Sequence, residues 1–176
     1  MTEKHVLITP IYKSQNILRA VAKVKVDKVV LVADVEDNSE DVDNAIEEIQ
    51  ETLDDIVDIE VVRADPYDMP DIVSKVSKKI DQEKENKISL NVTPGRKIQA
   101  FSLAFAGFSN QDDIDEIFYL KEEGGKIHIP MLEISMSENK KKVLSNISEG
   151  STNVDSLEAN MDISKTMIYN HIKDLK

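Results

Sequence analysis

Two hydrophobic rhythms alternate along the first two thirds of the chain. Short continuous runs rich in β-branched residues, HVLIT (5–9), KVVLVAD (28–34), IEVVRAD (59–65) and ISLNVT (88–93), are separated by longer stretches with apolar residues at helical spacing. Continuous rather than alternating apolar runs suit strands covered on both faces. The intervening SQNILRAVAKV, SEDVDNAIEEIQETL and MPDIVSKVSKKIDQE predict amphipathic helices. In the second of these, Val42, Ala45, Ile46, Ile49 and Leu53 form one stripe, with Ser39 or Asp41 available as a cap and acids crowding the first turn. The third opens with Asp68-Met69-Pro70, which places proline where an early helical position tolerates it. This alternation predicts right-handed crossovers building a parallel sheet. IDEIFYL and GKIHIP, around Glu122 to Gly125, then predict a closing hairpin.

One helical stretch breaks the amphipathic rule. IQAFSLAFAGF (98–108) is apolar nearly all round, which predicts burial on more than one side, against the sheet and either another element or a second copy of the chain. After Pro130 the strand signals stop. SENKKKVLSNISEG, NVDSLEANM and SKTMIYNHIKDLK predict three short helices, the last two separated by Asp162-Ile163 with Ser164 as a cap, and this spacing suggests a helix-turn-helix. The expected architecture is α/β over residues 1–134, a mostly parallel sheet with helices on both faces, followed by a small all-α domain over 135–176.

Composition narrows the function. The 176 residues contain no cysteine, so a disulfide framework, thiol catalysis and cysteine-ligated zinc are excluded. No apolar run approaches the ~20 residues of a membrane helix, and a soluble, cytoplasmic protein is expected. The net charge is -12, yet residues 137–176 hold six lysines against six acids, so the whole imbalance lies upstream. Phosphate backbones reward basic surfaces, so the net charge argues against nucleic-acid binding, but the chain has two electrostatic regimes, an acidic body and a neutral tail.

In an open parallel sheet, ligands bind outside the carboxyl ends of the strands, where the strand order reverses. The loops concerned are Thr9 to Gln15, Asp34 to Asn38, Asp65 to Asp68 and Asn91 to Lys97. The last is the most informative. Gly95 permits close backbone approach, Thr93 offers a hydroxyl, and Arg96 and Lys97 put cations where the next helix presents free amides. The alternative, a merely capped turn, leaves two adjacent cations unexplained. Neither G-x-G-x-x-G after the first strand nor G-x-x-x-x-G-K-[ST] occurs, which argues against dinucleotide and P-loop chemistry. His5, His128 and His171 are scattered, and no metal site is expected from them. Asp34 ends the second strand where a ribose-binding acid could sit, but without the glycine loop it reads as a strand-ending turn residue.

Asn91-Val92-Thr93-Pro94-Gly95-Arg96-Lys97 resembles the Asn-x-Thr-Gly-Gly-x-Lys signature of CARF domains, the CRISPR-associated Rossmann-like sensors. ITPIYKSQNILRAV, with Thr9 opening its loop and Arg19 on the helix, is similar to their first motif, and the three-helix tail to the winged helix-turn-helix of Csa-three-like regulators. Pro94 stands where the family has its first glycine, and Ile11 where relatives often carry one. The resemblance implies a Rossmann-like homodimer that binds cyclic oligoadenylate as its effector, with no resident cofactor. It assigns Thr9, Pro10, Ile11, Tyr12, Lys13 and Ser14 to one wall of the site, and Asn91, Thr93, Gly95, Arg96 and Lys97 to the other. Tyr12 either stacks on adenine or covers its own loop. On the third helix of the tail, Ile168, Ile172 and Leu175 form an inward stripe with Leu157 and Ile163. Lys165, Thr166, Tyr169, Asn170 and Lys173 then face outward as candidate contacts to double-stranded DNA, unless the tail is a purely structural or dimerising unit. The sequence ends at Lys176 with the candidate recognition helix, so a wing is expected to be absent or truncated. The first reading is therefore a transcriptional regulator gated by cyclic oligoadenylate. A second is a ring nuclease that cleaves the effector without metal, using Lys97 with Ser14 or Thr9, although no dedicated general base stands out. A third is a non-catalytic dimeric interaction module.

Overall fold

The computed structural model describes residues 3–35, 40–53, 55–132, 137–151, 153–161 and 163–174. The chain divides into two compact units, Met1–Leu132 and Glu133–Lys176. In the first, strands β1 (His5–Pro10), β2 (Lys28–Asp34), β3 (Asp58–Ala64), β4 (Lys87–Asn91), β5 (Glu116–Leu120) and β6 (Lys126–Ile129) form one sheet in the order β3-β2-β1-β4-β5-β6. All pairings are parallel except β5 with β6. Helices α1 (Ser14–Val24), α2 (Glu40–Leu53), α3 (Met69–Glu83) and α4 (Lys97–Ser109) make the crossovers.

The continuous apolar runs follow from two covered faces. On β2, Val29, Leu31 and Ala33 join Leu7 of β1 and the stripes of α1 and α2 in one core. Val30 and Val32 alternate to the other side and join Ile8, Ile88, Leu90, the α3 residues Ile72, Val76 and Ile80, and Leu103 and Ala106 of α4. Helix α4 lies close to the sheet at Gly107, where an added Cβ would fall 2.7 Å from Leu90 Cδ1 and 2.6 Å from Ile117 Cδ1. Toward the amino ends of the strands the α1–α2 face carries a polar cluster. His5 Nε2 lies 2.8 Å from Ser89 Oγ, which donates to Glu116 at 3.2 Å, and Lys126 donates to the same carboxylate at 2.8 Å.

Side chains decide where elements stop. Strands three and four each end sooner than their apolar runs suggest, because Asp65 and Asn91 accept from the backbone N–H two residues on, at 2.9 and 3.1 Å, and turn the chain. Asp68 caps α3 by accepting from Asp71 N–H at 3.0 Å, with Pro70 in the first turn. Asp41 lies inside the first turn of α2 rather than capping it, and Ser39 falls outside the described residues. The all-round apolar character of α4 is not satisfied within this unit: Phe101 is 62% exposed and Phe105 47%. No helix among the described residues is long and apolar enough to cross a membrane.

The second unit holds α5 (Glu138–Ser148), α6 (Val154–Asn160) and α7 (Lys165–Asp174). Its small core is Val143, Leu157, Met161 and Ile168, all buried, while Ile163 and Ile172 are partly buried. Leu175, expected in the same stripe, falls outside the described residues. Ser137 and Asn153 cap α5 and α6, accepting at 3.4 and 2.8 Å, and Ser164 Oγ accepts weakly from Met167 N–H at 3.5 Å.

Candidate functional site

The strand order reverses between β1 and β4, so the loops after these two strands flank the crevice where an open α/β sheet takes a ligand. Hydrogen bonds fasten the two loops together. Leu120 N–H donates to Thr93 Oγ1 at 2.6 Å, and Thr93 Oγ1 donates to Asn91 Oδ1 at 2.6 Å. Asn91 Nδ2 donates to Thr9 Oγ1 at 3.2 Å, and Thr9 donates in turn to Pro10 O at 3.2 Å. Thr9 and Asn91 are completely buried, so this lacing replaces water at the polar ends of β1, β4 and β5. Pro10, Ile11 and Pro94 are buried as well, and Ile11 N–H donates to Val32 O at 3.1 Å. Of the first-wall residues, Thr9, Pro10 and Ile11 therefore shape the loop from behind, whereas Tyr12 and Lys13 are exposed.

Gly95 has φ +87°, and a Cβ there would sit 2.6 Å from Pro10 Cβ. Glycine is what allows the β4–α4 turn to lie against the β1–α1 loop. The helices beginning at this crevice carry no acid in their first turn, in contrast to α2, which has three, and α3, which has one. Neither helix places an acid of its own at its amino end, although carboxylates reach both from other elements: Glu48 meets Ser14 of α1 at 2.5 Å and Asp34 meets Gln99 of α4 at 2.7 Å. Lys13 and Lys97 are exposed and form no ion pair with any described residue. Arg96 is placed differently. Its guanidinium lies 3.3 Å from Asp34 Oδ2 and 5.2 Å from the centroid of the Tyr67 ring. Gln99, 2% exposed, ties the same corner together: its Oε1 accepts from Arg96 N–H at 2.8 Å and its Nε2 donates to Asp34 at 2.7 Å.

Two openings adjoin these loops. A cleft of about 390 Å³ lies between the start of α1 and α2, where Ser14 Oγ donates to Glu48 at 2.5 Å. A larger apolar groove of about 630 Å³ runs from Thr93, Gly95 and Lys97 along α4 past Phe101 and Phe105 to Tyr119 and Leu132.

By sequence, a family model described as "HFX_2341_N:-like, N-terminal" matches residues 5–124. The chain belongs to the HFX_2341_N:-like, N-terminal family. No curated protein matches the sequence. Among solved structures, the HFX_2341_N:-like chain is similar in fold to Enterococcus italicus Csm6 bound to cyclic hexa-2'-fluoro-hexa-dAMP. That match has a TM-score of 0.61 and 14% identity, over 99% of this chain and 55% of that one. Can2 from Sulfobacillus thermosulfidooxidans, in complex with cyclic tetra-adenylate, gives 0.55 and 13%, over 84% and 47%. A type III CRISPR defence DNA nuclease activated by cyclic oligoadenylate gives 0.55 and 13%, over 74% and 22%. The chain thus spans about half the length, or less, of these solved chains, and at such identities the likeness is one of fold, the Rossmann-like α/β fold expected from the CARF resemblance.

Gln99 of the candidate site escaped the sequence reading, and the partners of Asp34 did too. Asp34 looks like a turn residue until α4 brings Gln99 and Arg96 onto it, and Gln99 sits in an apolar run that gives no polar signal. Arg19, part of the first motif, is engaged away from the crevice. Its guanidinium donates to Lys121 O and Glu122 O at 2.7 Å and ties α1 to the β5–β6 turn. In the second unit Lys165, Thr166, Tyr169, Asn170 and Lys173 share an exposed surface of α7 around buried Ile168. Lys165 is paired with Asp155 at 2.5 Å and faces Glu158 at 3.6 Å.

Proposed function

We propose that the chain is a homodimeric sensor of cyclic oligoadenylate whose second unit binds double-stranded DNA, a CARF-type transcriptional regulator. The observation that carries the sensing half is the pair of laced loops at the β1–β4 reversal, with Lys13 and Lys97 exposed and outside any ion pair among the described residues, and with no acid in the first turn of either following helix, on an otherwise acidic unit. A cyclic oligoadenylate carries one negative charge per nucleotide, so a two-fold pair of such sites matches its charge and symmetry. The apolar α4 groove supports the dimer, because a second copy covers Phe101 and Phe105, which nothing in the first unit covers. With this pairing, Lys97 from each copy stands at the mouth of the shared interface. Support for the DNA half is the exposed polar surface of α7 on a neutral tail, and DNA phosphate competes with Asp155 for Lys165.

Thermal-shift measurements with cyclic tri-, tetra- and hexa-adenylate, followed by product analysis of the ring that binds, test the sensing half. A stabilised protein with intact ring supports sensing without cleavage, and linear products favour the ring-nuclease reading. The DNA half is tested by titrating labelled promoter DNA at low salt with and without that ring; no binding in either state rejects it.

A further inference from the structure

Resting on the sensing reading above, we infer that the α1–α2 cleft is a base pocket that reads adenine by its exocyclic amine, with Asn44 and Glu48 as the reading residues. The cleft, about 390 Å³, is lined by Tyr12, Lys13, Ser14, Asp41, Asn44 and Glu48, within the ~300–1,000 Å³ of small-ligand clefts. It shares Tyr12, Lys13 and Ser14 with the β1–α1 loop, so it opens directly beside the crevice.

Its chemistry is unlike that of the crevice. One lysine faces two carboxylates, Asp41 and Glu48, so the lining repels phosphate and favours an uncharged group rich in donors. The Glu48 carboxylate is held in place by Ser14, 6% exposed, whose hydroxyl donates to it at 2.5 Å and leaves its remaining lone pairs open to the cleft. Adenine meets these requirements. A side-chain amide such as Asn44 pairs with its amine and adjacent ring nitrogen in a bidentate manner. The second amine hydrogen then goes to Glu48, and Tyr12, 55% exposed, offers a ring face for stacking. Hypoxanthine and guanine present a carbonyl oxygen at the same place, lone pairs against the Glu48 carboxylate. A phosphate anchored at Lys97, outside the cleft, and a base turned into it would divide the ligand between two surfaces of opposite preference.

Calorimetric titration of the full chain with cyclic tetra- and hexa-adenylate and with the matching cyclic oligoinosinates tests this. The wild type should prefer the adenylate by about tenfold or more. Asn44→Ala should lose about tenfold for adenylate and little for inosinate. Glu48→Gln should move the preference toward inosinate, because an amide N–H₂ donates to the carbonyl that a carboxylate repels. Asn44 is exposed on α2 and alanine favours helix, so the fold is kept. If adenylate binds but both variants keep the wild-type preference, the base pocket is overturned and sensing stands. If the wild type binds no ring, the sensing reading falls and this inference with it.

Discussion

Replacing Gly95 with alanine probes how tightly the β4–α4 turn is built against the β1–α1 loop. The new Cβ would fall 2.6 Å from Pro10 Cβ and 2.9 Å from Gln99 Oε1, where carbon atoms ordinarily stand ~3.5–4.0 Å apart. Neither neighbour yields easily. Pro10 is a buried ring, and Gln99 is held at 2.8 Å by Arg96 N–H and at 2.7 Å by Asp34. A left-handed backbone costs a residue with a Cβ about 1–2 kcal/mol, and overpacking adds about 1–3 kcal/mol. Stiffening the unfolded chain returns about 0.4–1 kcal/mol. The net loss is about 2–4 kcal/mol, which at about 3–4 °C per kcal/mol lowers Tm by about 6–16 °C. Differential scanning calorimetry of the full chain reads this directly. Gly125→Ala is the control, since it has φ +97° but nothing within 4 Å of the added Cβ and should lose only about 1 kcal/mol. A Gly95→Ala protein melting within about 2 °C of wild type, or no lower than the control, refutes the tight packing of the turn.

Asp34→Ala leaves the buried Gln99 amide without its acceptor and should cost about 1–3 kcal/mol in urea unfolding. Asp34→Asn keeps an acceptor and should stay near wild-type stability while tightening cyclic oligoadenylate binding at low salt, because it frees Arg96; equal stability of the two variants contradicts the network. Lys97→Ala should weaken that binding about tenfold or more and reduce its salt dependence, whereas an unchanged affinity removes Lys97 from the site. Phe101→Asp should convert a dimer to monomer in sedimentation equilibrium at micromolar protein, and a persisting dimer excludes the α4 face. Burial pushes the Glu116 carboxyl up, but the hydrogen bond and charge of Lys126, helped by Ser89 and His128, bring it below its ordinary 4.5. Folding lowers this pKa, so its contribution is full above the unfolded value and is lost as pH falls through the folded one. Glu116→Gln should flatten stability against pH below about 4.5, and an acid limb identical to wild type argues against it.

Short-range chemistry was legible in the chain and long-range chemistry was not. The apolar runs gave β1 and β2 because alternate residues of each feed two different cores, and Asp68 with Pro70 marked the start of α3. The apolar circumference of α4 predicts burial on more than one side, yet Phe101 and Phe105 stay exposed in the chain. The NVTPGRK turn marked the candidate site, whereas the reversal at β1–β4 that sets it beside the first loop came only with the strand order. What the turn could not show is that its two cations part company: Lys97 stays free, while Arg96 is drawn onto an acid 62 residues earlier. Ser14 and Glu48 meet across 34 residues. Helical spacing fixes which face of α2 Glu48 occupies, but not what crosses to meet it.

The lacing of Thr9, Asn91 and Thr93 bears on how such a site can change over time. Asn91 bridges Thr9 and Thr93, and Thr9 and Asn91 are completely buried, so exchanging one loop for a sequence that lacks these side chains strands polar atoms in the second. The two loops are a single unit of inheritance, although 82 residues separate Thr9 from Asn91. Anyone grafting a new ligand preference onto this scaffold must carry both loops across together. Tyr12 and Lys13, lying outside the lacing, are the positions that can drift one at a time.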